Sequence, residues 1–329
     1  MPAKRDQQML IDAARMYYIE GLDQGQVGRR LGVSRSSVSR MLTTARESGI
    51  VQVRITGDDH VDRNRDLERE LMRAFGLREA LVAQTASAAT ALDSVSQLAA
   101  QLFTRRGPSA TRIGFSWGFT VGQLIDAIPR MTLRPDTKLT PLVGGMPLLD
   151  TTPSGNTNIQ TLASKCGIMA ERFDAPAIVE SSLTYRAMMS ESSVKAALER
   201  AKRCDLAFIG IGSFGVHTSK KILDSMRLSE AELAAVLDAN PAGDTLGRFF
   251  DIEGTPLGPP SSERVIGIDI EAVGAIEIAV ALAAGKEKAR GMLGALRLGV
   301  FDVLVVDEGL AAALLTLLSN QPRRTPVPS

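Results

Sequence analysis

Between positions 29 and 46 the chain sets out side chains suited to gripping a polyanion: Arg29, Ser34, Arg35, Ser36, Ser37, Ser39, Arg40 and Arg46. Residues 24–46 hold five arginines and no aspartate or glutamate, a positive footprint for the phosphates of duplex DNA. Hydroxyls and guanidinium forks on the outer side of one helix can reach both base edges and backbone oxygens. A second set of residues suits a small anion. In Gly114-Phe115-Ser116-Trp117-Gly118 the glycines allow close approach to the backbone, Ser116 offers a hydroxyl, and Trp117 can wall a pocket or pack beneath the loop. At a strand end that opens into a helix, such a loop turns its amides toward an anion, and phosphate leads the candidates. The same letters also make an ordinary tight strand-to-helix turn. Leu142-Val143-Gly144-Gly145 and Gly210-Ile211-Gly212-Ser213 repeat the glycine ending, so three strand ends could share one ligand-binding mouth.

These side chains need elements to hold them. Val27, Leu31, Val38 and Met41 recur at helical spacing, Gly28 stands where two helices must cross closely, Gly32 marks the turn, and Ser34 is placed to cap the next helix. That is a helix-turn-helix pattern. Leu10, Ala13, Ala14, Tyr17 and Tyr18 predict a packing helix over 7–20, and the alternation in 50–55 predicts a short strand, so the module has room for a wing. Farther on, short apolar runs predict strands at 81–83, 112–115, 139–143, 177–179, 206–210, 264–268 and 303–306. Amphipathic stretches predict helices at 62–75, 93–104, 117–128, 158–171, 190–202, 229–237, 273–284, 286–298 and 310–318. Alternation of this kind predicts an α/β body with a mostly parallel sheet covered by helices on both faces. Residues 241–260, rich in glycine and proline around Phe249-Phe250, read as an ordered loop crossing a site. The expected division is a helix-turn-helix domain at 1–56, a linker at 57–62, an effector and oligomerisation domain at 63–320, and a disordered tail at 321–329.

A chain of 329 residues with 44% hydrophobic and 4% aromatic residues is long enough for two packed domains. The net charge is +1, but 1–56 hold nine Lys/Arg against five Asp/Glu and the remainder 29 against 32. Basic character is local, which confines nucleic-acid binding to the N-terminal module. The first 15 residues lack the apolar stretch of a secretory signal, and no uncharged run reaches the roughly 18 residues of a membrane span. A cytoplasmic protein without a membrane partner is expected. Cys166, Cys204, His60 and His217 are too few and scattered for a metal cluster, so neither metal nor cofactor is expected.

Taken in order, Leu31-Gly32-Val33-Ser34, Val38-Ser39-Arg40, Gly114 to Gly118, Val143-Gly144-Gly145, residues 206–212, Gly243-Asp244, Gly247-Arg248-Phe249-Phe250-Asp251 and residues 302–308 resemble the SorC family of bacterial transcriptional regulators over nearly the whole length. The resemblance implies an effector domain like that of sugar-phosphate isomerases and deaminases, with a phosphorylated sugar or polyol altering affinity for operator DNA. It assigns Gly114, Ser116, Trp117 and Gly118 to the ligand loop, Gly144 and Gly145 to the neighbouring wall, Asp244 and Arg248 to a covering loop, and Lys288 to phosphate. It further implies a homo-oligomer, dimer or tetramer, on a palindromic operator, acting in most relatives as a repressor of carbohydrate or polyol genes. Gly28 departs from the alanine more usual at its place, and Val306-Asp307 from the common Thr-Asp pair.

An alternative reading is an isomerase- or deaminase-like enzyme carrying a DNA-binding module, with Asp205, His217, Asp269, Glu271, Asp307 and Glu308 as acids and bases. The same residues also serve as caps and surface charges, and no paired acid and base stands at a recognisable spacing. A third reading makes the protein an architectural DNA binder whose body only oligomerises.

Overall fold

The computed structural model describes residues 4–47, 50–51, 61–85, 87–146, 155–216 and 219–320, without the side chains of 4–7, 46 and 47. The expected wing, the linker and the tail therefore lie wholly or mostly outside the described residues. The chain divides into two compact units, Met1–His60 and Val61–Ser329.

The first unit contains α1 (Lys4–Tyr18), α2 (Gln24–Leu31) and α3 (Arg35–Glu47). Its core is Leu10, Ala13, Ala14, Val27, Val38, Leu42 and Ala45, against which Leu31 and Met41 are half-buried. Asp23 and Gln26 form a reciprocal capping box that starts α2, and Gly32 ends it in the left-handed region at φ 68°. The Ser37 amide donates to Ser34 Oγ at 3.1 Å, so Ser34 caps α3. A Cβ at Gly28 would lie 2.7 Å from the Val33 carbonyl; the turn closes more tightly here than an alanine would permit.

The second unit runs α4 (Arg65–Phe75), β1 (Glu79–Ala83), α5 (Ala91–Arg106), β2 (Arg112–Phe115), α6 (Phe119–Ala127), β3 (Lys138–Pro141), α7 (Gly155–Cys166), α8 (Ser182–Ser190) and α9 (Ser192–Lys202). It continues with β4 (Leu206–Ser213), α10 (Ser219–Ser225), α11 (Glu230–Asp238), β5 (Pro241–Thr245), β6 (Arg248–Asp251), α12 (Ile270–Gly274), β7 (Ile278–Leu282), α13 (Ala289–Arg297), β8 (Val303–Asp307) and α14 (Glu308–Ser319). Six strands form a parallel sheet in the order β1-β8-β7-β4-β2-β3, and the antiparallel β5–β6 hairpin extends from the far end of β4. Successive strand residues enter opposite cores. Phe208 stacks on Phe115 beside Phe103 under α5, α6 and α7, while Ala207 and Ile209 face the layer that contains α9, α10, α13 and α14. Burial on both faces is why these strands read as apolar runs rather than alternating ones.

Three expectations change. Residues 273–284 are not one helix: the chain turns briefly through α12 and then forms β7, because 278–282 are flanked by β4 and β8 and hydrogen-bond to both. The segments 177–179 and 264–268 make isolated antiparallel bridges, Ile178 to Val265 and Val143 to Gly267, rather than strands of the main sheet. Residues 241–260 begin with the β5–β6 hairpin rather than a loop, closed by Leu246 and Gly247, both at positive φ.

Helix α13 approaches β4 and β5 through glycines. A Cβ at Gly243 would sit 2.3 Å from the Gly212 carbonyl and 2.8 Å from Gly291 Cα. No flexible side chain can yield there, since both neighbours are backbone. Gly243→Ala is therefore expected to destabilise the protein by about 3 kcal/mol, the upper end of ordinary overpacking costs, seen in urea denaturation as a lower midpoint. An unchanged midpoint would mean that the backbone relaxes around the added methyl.

Candidate functional site

A cavity of about 400 Å³ opens at the carboxyl ends of β2, β4 and β7, where ligands collect in open parallel sheets. Its wall includes Trp117, Gly118, Gly210, Gly212, Asp244 and Lys288, all on glycine- or loop-bearing stretches legible in the sequence. Ala88, Ala91, Leu92, Ile222, Leu246 and Gly285 complete much of the rest; small apolar residues of this kind carry no sequence signal that separates them from core.

Ser116 fixes the loop without reaching the cavity. Its amide donates to the Phe208 carbonyl at 3.1 Å, its Oγ donates to the Trp117 carbonyl at 3.1 Å, and the same Oγ accepts from the Gly210 amide at 2.9 Å. The hydroxyl expected to meet a ligand instead ties β2 to β4. Gly118 follows at φ 124° and opens α6 with no side chain to cap it. The first-turn amides of Phe119, Thr120 and Val121 have no preceding helical carbonyl, and these residues line the cavity. Trp117 is 8% exposed, and among the described residues its indole nitrogen has no hydrogen-bond partner.

Lys288 stands in the wall with these amides. It is half-buried, and among the described residues none takes a hydrogen bond or forms an ion pair with its ammonium. Burial pushes its pKa below the ordinary lysine range, opposed by the carboxylates of Glu287, Asp244 and Asp307. Asp244 is 5% exposed and accepts from Ser219 Oγ at 2.6 Å. Burial pushes its pKa up to about 6, against the Ser219 hydrogen bond, the Lys288 charge and the Gly247 amide.

The remaining expected ligand residues stand elsewhere. A Cβ at Gly114 would fall 2.5 Å from Leu142 Cδ2 and 3.0 Å from Cys204 Sγ, so this glycine serves core packing. Gly144 and Gly145 run against 175–177: the Gly145 amide donates to the Ala175 carbonyl at 2.8 Å, and a Cβ at Gly144 would meet that carbonyl at 2.5 Å. Arg248 spends its guanidinium on backbone carbonyls, donating to Ile268 at 2.9 Å and Gly267 at 3.1 Å, with Ser262 and Val265 beyond. It clasps the bridged segment 262–268 instead of covering a ligand. Four of the candidate acids and bases are similarly engaged, whereas Glu271 is exposed: Asp205 accepts from Thr111 and Arg112, Asp269 caps α12, Asp307 caps α14, and Glu308 accepts from Asn64. His217 lies outside the described residues. Among the described residues no cluster of three or more His, Cys, Asp or Glu could hold a metal, and no helix is long and apolar enough to cross a membrane.

In the first unit Arg29, Ser34, Arg35, Ser36, Ser39 and Arg40 are exposed and Ser37 is half-buried. Ser34 Oγ lies 2.9 Å from both Ser36 and Ser37 hydroxyls. Among the described residues none pairs with Arg29, Arg35 or Arg40, whereas Arg30 is held by Glu20 at 2.7 Å. The Arg46 side chain is outside the described set.

Residues 59–316 match the sugar-binding domain family, Sugar-bind. The chain belongs to this family. It is 29% identical over 323 residues to the sorbitol operon regulator of Klebsiella pneumoniae, covering 94% of this chain and 98% of that one. It is 26% identical over 317 residues to the deoxyribonucleoside regulator of Bacillus subtilis, covering 95% and 98%. The crystal structure of the full-length Klebsiella regulator, SorC, superposes with a TM-score of 0.69 over 95% of this chain and 100% of that one. The SorC resemblance read from the motifs and the mixed α/β fold with a mostly parallel sheet both stand.

The buried Asp244 gives the family member a pH signature. Burial pushes its folded pKa up to about 6, above the ordinary aspartate value of 3.8, so between these values the folded state holds a proton that the unfolded state has lost. Its contribution to stability falls as pH rises from about 4 to about 6 and is level above that. Asp244→Asn keeps an acceptor for Ser219, removes this slope, and is expected to gain on the order of 3 kcal/mol at neutral pH. Thermal unfolding at pH 5 and pH 8 checks it; an equal pH response in both proteins would mean that Asp244 titrates normally.

Proposed function

We propose that this chain is a sugar-responsive transcriptional regulator whose cavity takes a phosphorylated sugar or polyol and whose N-terminal helices hold operator DNA. The observation that carries the reading is the meeting, in one cavity, of the uncapped amino end of α6 and a lysine ammonium that has no hydrogen-bond or ion-pair partner among the described residues. A phosphate dianion satisfies both, Lys288 as a point charge and the amides as directional donors. Asp244 is an acceptor for a hydroxyl of the sugar or polyol. Arg35, Ser36, Ser39 and Arg40 are the exposed readers and phosphate contacts of α3, supported by Arg29. The relatives are named for sorbitol and for deoxyribonucleosides, and joined to the phosphate reading these names make sorbitol phosphate and deoxyribose phosphate the first compounds to try.

A helix that reads a few base pairs gains specificity by pairing, which suits a dimer or tetramer on a palindromic operator. Repression relieved by the sugar phosphate is the simplest control. The enzyme alternative has less support, because Asp269 and Asp307 are occupied as helix caps and Asp205 holds the Thr111–Arg112 turn.

Two variants separate the two sites. With a duplex selected from a random pool, Arg40→Ala should weaken binding and reduce the slope of log affinity against log salt by about 1, leaving the response to sugar phosphate intact. Lys288→Ala should keep operator binding and lose that response. Fluorescence anisotropy across a salt series measures both, and a flat salt dependence in the unaltered protein would remove the phosphate-contact account.

A further inference from the structure

The cavity wall is tied to the first described residues of the second unit, those next in sequence to the helix-turn-helix. Asp307, 3% exposed, uses its two oxygens differently. Oδ1 accepts from the Leu310 amide at 3.1 Å, capping α14, and Oδ2 accepts from the Gly285 amide at 2.7 Å. Gly285 begins the turn that carries Lys288, whose amide donates to the Gly285 carbonyl at 3.1 Å. The next residue, Glu308, reaches the other way, accepting at Oε1 from Asn64 Nδ2 at 3.0 Å.

Asn64 is itself fixed on both sides. Its Oδ1 accepts from the Leu67 amide at 3.1 Å as the cap of α4, and its own amide donates to the Val82 carbonyl at 2.9 Å. The Gln84 amide donates to the Asp62 carbonyl at 2.8 Å, so 62–64 lie antiparallel along β1. Buried Glu68 locks this segment by accepting from Arg63 at 2.7 and 2.9 Å and from the Val82 amide at 3.0 Å. Within β1, Ala83 stands opposite Asp307, and a few residues later the chain supplies Ala88, Ala91 and Leu92 to the cavity wall.

From this geometry we infer that Asp307 and Glu308 form a relay: an anion held at Lys288 sets the Gly285 turn, Asp307 carries that setting to the start of α14, and Glu308 passes it to Asn64. The two acids are the cap and first residue of one helix, so a shift imposed on the first is shared by the second. The relay rests on the ligand reading of the cavity given above, and it makes Glu308 a positioning residue that never touches the ligand.

Hydrogen exchange on the full chain, with sorbitol phosphate, deoxyribose phosphate or inorganic phosphate added separately, tests it. A compound that slows exchange at 285–288 is expected also to change exchange at 62–68. In Glu308→Ala the first effect persists and the second is lost; Glu308→Gln, which keeps an acceptor oxygen, restores it. In parallel, the change in operator affinity caused by the same compound should shrink by about fivefold or more in Glu308→Ala. An undiminished response at 62–68 in Glu308→Ala overturns the relay and leaves the ligand reading standing. No response at 285–288 to any of the three compounds in the unaltered protein defeats the ligand reading, and the relay with it.

Discussion

The Lys288 ammonium and the uncapped amino end of α6 line one cavity, and both present positive potential that an anion held there would satisfy. Lys288 has no hydrogen-bond partner among the described residues, and the amino end of α6 has no capping side chain. Desolvation works against the charge on Lys288, and Asp244, Glu287 and Asp307 work for it. The carboxylates offset part of the cost at a distance without filling the place a ligand would occupy. On the proposed reading, a site held in this half-compensated state gains most from a bound anion.

The fold supplies the opening. β4 pairs with β2 through 206–208 and with β7 through 206–210, then extends beyond both to pair with β5. The loop after β2, the hairpin residue Asp244 and the turn before α13 all supply residues to the cavity at these strand ends. Several of the most noticeable motif residues build this cavity from behind. Ser116 staples β2 to β4, Arg248 gathers the carbonyls of 262–268, and Gly212, Gly243 and Gly291 let α13 lie against the backbone of β4 and β5.

Much of this was legible before the structure. The helix-turn-helix signal rested on local rules, a small residue at the crossing, a glycine turn and a serine cap, and such rules survive folding because they involve near neighbours in sequence. Of the three strand endings in glycine, those of β2 and β4 line the cavity, whereas Gly144 and Gly145 after β3 pack against 175–177 instead. The failures concern tertiary context. Residues 276–284 are mostly apolar and alanine-rich, compatible with a helix until β4 and β8 flank them. Arg248 and Ser116 have the right chemistry for a ligand, but carbonyls and amides distant in sequence claim them first. The resemblance to known regulators could name Ser116 as part of the loop, yet only coordinates reveal that its hydroxyl faces Gly210. Gly28 is a converse case: a departure from the usual alanine that a 2.7 Å approach to the Val33 carbonyl accounts for.

The chain has a single tryptophan, and it stands in the cavity wall. Intrinsic fluorescence of Trp117 therefore reports directly on whether the cavity takes an anion. Titration of the full chain with sorbitol phosphate, deoxyribose phosphate and inorganic phosphate should give a saturable change with at least one of them, stronger than with the unphosphorylated sugar and absent when Lys288 is replaced by alanine. A response that is equal with and without the phosphate group, or that survives loss of the Lys288 ammonium, would contradict the account.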